Sequence, residues 1–424
     1  MEKSTYRKVM LRVVWPLTFL IILSSLDRVN VSFAALRMNP DLGMDAKAYG
    51  FGVGIFFWGY LIFQLPSAAV LRKIGARRWI AGSVIGWGLV ATAMALVQTP
   101  THFYAARFLL GVFESGFAPG VVWYVSQWLP REYRARAIGG TLLAIPISVI
   151  IGGPLCGALM ALDTGSVASW RVMFAVEGVA TVIAGIAALF WFSDRPALAP
   201  WLRPDERTAI DAVLDAEVAQ ARAPAGTSLF SAFGDPMLWL SAGVWFVLIT
   251  GANAIIFWLP IAVKSFGLHD PLEVGVLSAL PWVAIGAGML LNARRSDRKG
   301  ERFGHVALPM LLSAVALGVA ASLTGNGTLA MAALIVGGFG LGGAQSVFWT
   351  IPTHYVGARN PGAIAAINLC GNLSSTVMPM VIGWVVATTG SLALPVYALA
   401  ILLAAGALLV VPLRALALKR EAMA

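Results

Sequence analysis

The chain has 424 residues, of which 59% are hydrophobic and only 12% charged, with a formal net charge of +10. Soluble chains carry about a quarter charged residues, so this composition excludes a soluble enzyme or binding module. The basic excess calls for no nucleic-acid partner, because the placement of the charges accounts for it.

Apolar runs of roughly 20 residues, long enough to cross a bilayer, recur along the chain. Twelve are read at about 11–36, 50–70, 79–97, 102–126, 137–161, 171–192, 237–263, 272–292, 305–323, 328–352, 361–388 and 394–413. The expected fold class is an all-α polytopic membrane protein. Of the 30 Lys and Arg, 24 fall on one side: before the first run, in every second connection and after the last run. They include Arg222 and Arg359. Arg37, Lys47, Arg171 and Lys264 lie on the other side, and Arg28 and Arg107 inside runs. By the positive-inside bias this puts both termini in the cytoplasm.

The first run starts behind Lys3, Arg7, Lys8 and Arg12 and contains SSLDRVNVSF at 24–33. Its basic start and small residues at 34–35 imitate a signal peptide. The charged doublet Asp27-Arg28 and the eleven further runs argue for an uncleaved helix. The second run carries Tyr60 and, four residues on, Gln64, and is followed by the basic turn LRKIGARRW at 71–79. The fourth holds Arg107 and Glu114 in RFLLGVFESG. Seven residues are two helical turns, about 10 Å, so the two share a face but cannot bond each other. Each needs a partner elsewhere: water, substrate or the doublet on the first helix. The sixth run holds Glu177 in WRVMFAVEG, as readily a partner for Arg171 or a helix end as a functional group.

Residues 193–236 are the longest polar stretch, with prolines first and then DERTAIDAVLDAEVAQA, a helical composition. They read as a cytoplasmic linker between a six-helix half at 1–192 and another at 237–424. A second basic turn, RRSDRKGER at 294–302, follows the eighth run as LRKIGARRW follows the second, which supports two related halves. The second half carries neutral polar residues within its runs: Asn253, Gln345, Asn368 and Asn372, the last two on one helical face. Aromatic residues Phe56, Trp58, Phe257, Trp258 and Trp349 are read as cavity lining. The two cysteines, Cys156 and Cys370, read as small packing residues, and no metal-ligand spacing or nucleophile–base pattern occurs. No cofactor is expected.

An ionisable group at a helix centre costs about 2.5–3.5 kcal/mol on insertion scales and usually marks a pathway. Five such groups fall inside runs: Asp27, Arg28, Arg107, Glu114 and Glu177. Two guanidiniums offer forked donors suited to a carboxylate. Acids in a low-dielectric cavity can hold protons near neutrality. Together they are the minimum for linking proton movement to anion movement. Adjacent helical residues point about 100° apart, so Asp27 and Arg28 cannot aim at one point.

Particular stretches resemble the anion:cation symporter family of the major facilitator superfamily: LDRVNVSFA in the first run, RFLLGVFESGFAPGVVWYVSQWLPREYRARA from the fourth, and FWLPIAVKSFG, VGVLSALPWVA, FWTIPTHYVG and INLCGNLSSTVMP in the second half. Asp297-Arg298-Lys299-Gly300 resembles the superfamily's D-R-x-G turn, whereas the first turn has Leu71 where the superfamily usually has Asp. The resemblance implies the major facilitator fold and a bacterial inner-membrane carrier. It implies proton-carrying roles for Asp27 and Glu114. Anion contacts are implied for Arg28, Arg107, Tyr60, Asn368 and Asn372, with Gln345 and Trp349 beside them. A gating turn is implied around Arg72, Asp297 and Arg298. Helix five offers only Thr141 and Ser148, which weakens the case for a heavily hydroxylated substrate, and Gln64 stands where tartrate carriers often have Glu. The expectation is a proton-coupled symporter of a small organic anion, read as a monomer in the bilayer. Exchange of organophosphate or carboxylate anions without protons is the alternative; a polytopic enzyme or a ligand sensor is the remaining class.

Overall fold

The structure, a computed structural model, describes residues 2–142, 144–220, 233–323, 325–357 and 360–422. Of the basic residues used to orient the chain, Arg222 and Arg359 lie outside these, as do residues 221–232 of the linker. Twelve helices are long and apolar enough to cross a membrane: Lys3–Asp41, Ala46–Ile74, Ala76–Leu96, Pro100–Ser126, Arg131–Ala161, Ser169–Trp191, Pro236–Lys264, Pro271–Lys299, Gly304–Ser322, Gly327–Gly357, Gly362–Thr389 and Ala393–Ala422. They are called the first to twelfth here. A shorter linker helix, Pro204–Gln220, follows the sixth. No strand occurs among the described residues.

Each expected run falls on one helix to within a residue at its ends, and several helices outlast the apolar runs. The first begins at Lys3 and the eighth continues to Lys299, through the basic residues of its turn. A backbone that bonds within its own helix is satisfied in lipid and water alike, so hydropathy does not mark where it ends. Local chemistry does. Thr99-Pro100, Asp235-Pro236, Asp270-Pro271 and Asn360-Pro361 each place a capping oxygen before a proline at the first helical position. Asp235 Oδ1, for example, accepts from Met237 N at 2.9 Å. Such a cap satisfies an orphan amide where proline needs none. Gly300 and Gly390, both left-handed, end the eighth and eleventh helices.

By chain contacts the fold divides into two compact units. The first comprises Met1–Asn30, Trp58–Val149 and Leu162–Ala225, the second Val31–Phe57, Ile150–Ala161 and Gly226–Ala424. The first unit is centred on fully buried Trp87, Trp128, Trp170, Tyr124, Phe103 and Arg107. At its basic end the linker helix is clasped at both ends. Glu206 accepts from Lys8 Nζ at 2.7 Å and Thr5 Oγ1 at 3.1 Å, and Glu217 accepts from Arg131 N at 2.8 Å and Arg134 Nη2 at 3.0 Å. Trp201, just before that helix, stacks on Trp128 with centroids 5.3 Å apart.

In the second unit the eighth and tenth helices touch backbone to backbone. A Cβ on Gly288 would overlap the Phe339 carbonyl, and one on Gly342 the Ile285 carbonyl, which explains the glycine run GGFGLGG. The same device recurs away from the basic turns. Gly50 of the second helix lies on the backbone of Pro379 and Gly383, and Gly153 of the fifth on Gly275 of the eighth. Tyr49 Oη donates to the Phe257 carbonyl at 2.9 Å beside this seam, and its ring meets Trp258 edge-on. Phe56 and Phe257 are fully buried here and Trp258 nearly so. Phe56 and Phe257 pack along the seam, Trp258 also borders an apolar pocket with Ile255, Leu259 and Ile382, and Trp58 is exposed.

Candidate anion and proton site

The first unit gathers Asp27, Arg28, Arg107, Glu114, Tyr60 and Glu177 around the middle of the first helix. Glu114 is the last residue of the segment Pro100–Glu114, where the fourth helix breaks before resuming at Phe117. The break has a local cause. Ser115 Oγ donates to the Val112 carbonyl at 2.7 Å, and Trp79 Nε1 donates to the Gly116 carbonyl at 3.1 Å. Gly116 has no room for a Cβ against Trp79 and Ser67.

Glu114 is 1% exposed. Its Oε2 accepts three hydrogen bonds: from Arg28 Nε at 3.0 Å, Arg28 Nη2 at 2.7 Å and Ser24 Oγ at 3.0 Å. Its Oε1 is buried with no hydrogen-bond partner. The Arg28 guanidinium lies 5.9 Å from the centre of the Tyr60 ring, within cation–π range. The fourth-helix acid thus finds its partner on the first helix, one of the partners that the seven-residue spacing left open.

The neighbouring acid faces another way. Asp27, 3% exposed, accepts from Asn30 Nδ2 at 3.4 Å, and the same nitrogen donates to Glu177 Oε2 at 2.8 Å. Glu114, Glu177 and Arg107 are its charged neighbours, with the Trp87 indole beside it. Arg107 is 1% exposed within the same cluster. The angular divergence expected of adjacent helical residues separates the doublet, with Arg28 on Glu114 and Tyr60 and Asp27 toward the sixth helix. Glu177 does not pair with Arg171, whose Nη1 donates to the Ala95 carbonyl at 2.7 Å while its guanidinium covers Trp170.

The second unit holds the other predicted contacts. Gln345 Nε2 donates to the Leu248 carbonyl at 3.2 Å, and Trp349 packs edge-on to Trp245 at 4.7 Å. Trp245 also stacks on Phe348 and abuts Gly371. Asn368 is exposed and Asn372 half-buried, one turn apart. Asn253 instead bonds Ser375 Oγ at 2.8 Å, joining helices seven and eleven. In the two basic turns, Asp297 accepts from Arg302 Nη1 at 2.6 Å, while Arg72 and Arg298 are exposed. The first turn, lacking an acid at Leu71, takes one from Asp194, whose Oδ1 accepts from Arg77 N at 3.0 Å.

Sequence reasoning missed Ser24, Asn30, Trp87, Trp245 and Asp194. Ser24 is four residues before Arg28, and Asn30 three after Asp27, so helical spacing could have found those two. Trp87 sits in an otherwise apolar run, and Asp194 acts across more than a hundred residues of chain; neither leaves a local signal. No group of three or more metal-ligating side chains occurs among the described residues.

Comparison with known proteins agrees with this architecture. The sequence profile of the Major Facilitator Superfamily matches residues 17–379. A putative tartrate transporter of Agrobacterium vitis is 41% identical over 410 residues, covering 96% of this chain and 94% of that one. A quinolone resistance transporter of Acinetobacter baumannii is 34% identical over 410 residues, with 96% and 94% coverage. The crystal structure of a bacterial homologue of the human lysosomal transporter Spinster, inward-facing and occupied, superposes with a TM-score of 0.78 at 16% identity over 98% of both chains. Twelve membrane helices, buried charges within them and these matches lead to one conclusion: the chain belongs to the Major Facilitator Superfamily and is a membrane transporter, not an enzyme.

Proposed function

We propose that this transporter is a proton-coupled symporter of a small organic anion, of the anion:cation symporter type, working by alternating access. One observation carries the reading: Arg28 is held on Glu114 through two nitrogens, inside the membrane span. While Glu114 is ionised, the guanidinium is engaged and the anion meets a carboxylate. A proton on Glu114 removes that charge and frees Arg28 to turn its fork toward a substrate carboxylate. Proton and anion then load together, because each makes room for the other. Arg107 supplies the second cation, Tyr60 a phenol beside Arg28, and Asp27 a second titratable acid. Gln345, Trp349, Asn368 and Asn372 are the second unit's candidates for substrate contact.

The substrate class follows from what helix five withholds. Thr141 Oγ1 donates to the Ile138 carbonyl at 2.7 Å and Ser148 Oγ to the Ile145 carbonyl at 2.6 Å. Both hydroxyl protons are turned to their own helix, which favours a small carboxylate over a polyhydroxylated one. The 41% identity with a putative tartrate transporter supports a small acid of that kind. Location in a bacterial inner membrane, with both termini cytoplasmic, is supported by the charge bias and by the bacterial relatives.

The test is tartrate uptake into proteoliposomes with and without an inward proton gradient. The gradient should drive accumulation in the wild type, and Glu114→Gln should abolish that accumulation while leaving exchange of internal for external tartrate. Equal accumulation by both proteins rejects the coupling role. Uptake that needs internal counter-anion and ignores the gradient supports anion exchange instead.

A further inference from the structure

The mechanism above uses Glu114 and Asp27 but leaves Glu177 unexplained, and Glu177 is also buried, at 8% exposure. We propose that Glu177 is a third proton-binding carboxylate, sharing one proton with Asp27 through the Asn30 side chain; this rests on the proton-coupled reading. Asn30 is 1% exposed and stands between the two acids. Its Nδ2 reaches Glu177 Oε2 at 2.8 Å and Asp27 Oδ1 at 3.4 Å. Its Oδ1 is buried without a hydrogen-bond partner, as is Asp27 Oδ2.

An amide has a donor end and an acceptor end. Between two ionised carboxylates its oxygen is stranded, and two like charges face each other in a low-dielectric site. Between one ionised carboxylate and one protonated acid, every group finds a use. The amide N–H donates to the carboxylate, and the acid O–H donates to Oδ1. The shorter contact is to Glu177, so Glu177 is the ionised member here and Asp27 carries the proton. An uncompensated buried acceptor is costly, and the shared proton removes that cost.

Charge balance points the same way. The charged groups near this pair are Arg107 and Glu114 on the fourth helix and Arg28, next to Asp27 in the chain and held on Glu114 beside Tyr60 of the second. The third helix contributes the neutral Trp87. Arg171 of the sixth helix is engaged with Trp170 and Ala95. Three acids stand against two guanidiniums, so a single proton makes the substrate-free cluster neutral. Loading a monovalent carboxylate then adds one negative charge at the arginines and a second proton at Glu114, and the cluster stays neutral; tartrate, with two carboxylates, leaves one negative charge.

The experiment is proton-sensitive infrared difference spectroscopy of the purified, substrate-free protein at neutral pH, in light and heavy water. A protonated-carboxyl C=O band is expected in the wild type. It should vanish in Asp27→Asn, shift or vanish in Asn30→Leu and Glu177→Gln, and persist in Glu114→Gln. Glu177→Asp should restore it to Glu177→Gln lacking protein. A band absent from the wild type, or unmoved by both Glu177→Gln and Asn30→Leu, overturns the proposal. Gradient-driven tartrate uptake by the wild type separates the two readings. If uptake follows the gradient but the band ignores Glu177, the third site alone fails; if uptake ignores the gradient, the coupled reading fails and this proposal with it.

Discussion

The doublet Asp27-Arg28 divides its work because consecutive side chains on a helix cannot share a target. Arg28 reaches Glu114 with two different nitrogens, Nε and Nη2, which a lysine cannot reproduce with one ammonium. Arg28→Lys is therefore expected to raise the KM for the anion about tenfold, ~1.4 kcal/mol, with expression and kcat little changed; uptake kinetics in proteoliposomes check it. At this scale much was legible in the sequence. Charge inside an apolar run is conspicuous, so Asp27, Arg28, Arg107 and Glu114 stood out, and their spacing excluded a bond between Arg107 and Glu114 while leaving the first-helix doublet among the possible partners. The neutral members were not legible. Ser24 and Asn30 look like any small polar residues in a membrane helix until the acids they bond are known. Glu177 was visible as a charge, but its partner was not, since Arg171 was the nearer candidate in sequence and Asn30 the nearer in space.

Among the elements, the linker helix is attached largely through charge. Lys8 and the Arg203 amide, with Thr5, hold the Glu206 carboxyl down to about 2, against an ordinary value of 4.5. A depressed carboxyl stabilises docking fully above its free value and loses that contribution as the pH falls through the depressed one. The clasp should thus be intact above about pH 4.5 and released only towards pH 2. Glu206→Gln should mimic release at neutral pH, with tryptic cleavage after Arg207 several-fold faster than in the wild type. The linker helix itself was evident from composition, starting behind Pro204 with acids in its first turn. What it docks against was not, because Thr5 and Lys8 lie about two hundred residues away in the chain. Helix ends were also poorly legible, since hydropathy stops at the bilayer surface while the hydrogen-bonded backbone continues.

For the whole molecule, the fold was the most legible property of all, because lipid allows few solutions and length, hydropathy and charge bias each report on it. The seam of the second unit was not. Gly50, Gly153, Gly275 and Gly383 are four among 44 glycines, and nothing in the sequence says which of them face one another. If the protein alternates as proposed, the seam must part and close in each cycle, and a bulky residue there biases it open. Gly275→Leu is expected to cost about 1–3 kcal/mol in the closed form, which is a roughly 5- to 150-fold shift in population. Net tartrate uptake should fall accordingly, while binding to detergent-solubilised protein persists. The seam's composition has another consequence. Where glycine packs backbone on backbone it brings no titratable side chain to the contact, and the nearby Tyr49 hydroxyl is tied to a carbonyl. A carrier that draws on the proton gradient loses that gradient if ions slip past without cargo. If the coupling is as proposed, a closed glycine face would serve such a carrier as an electrical insulator.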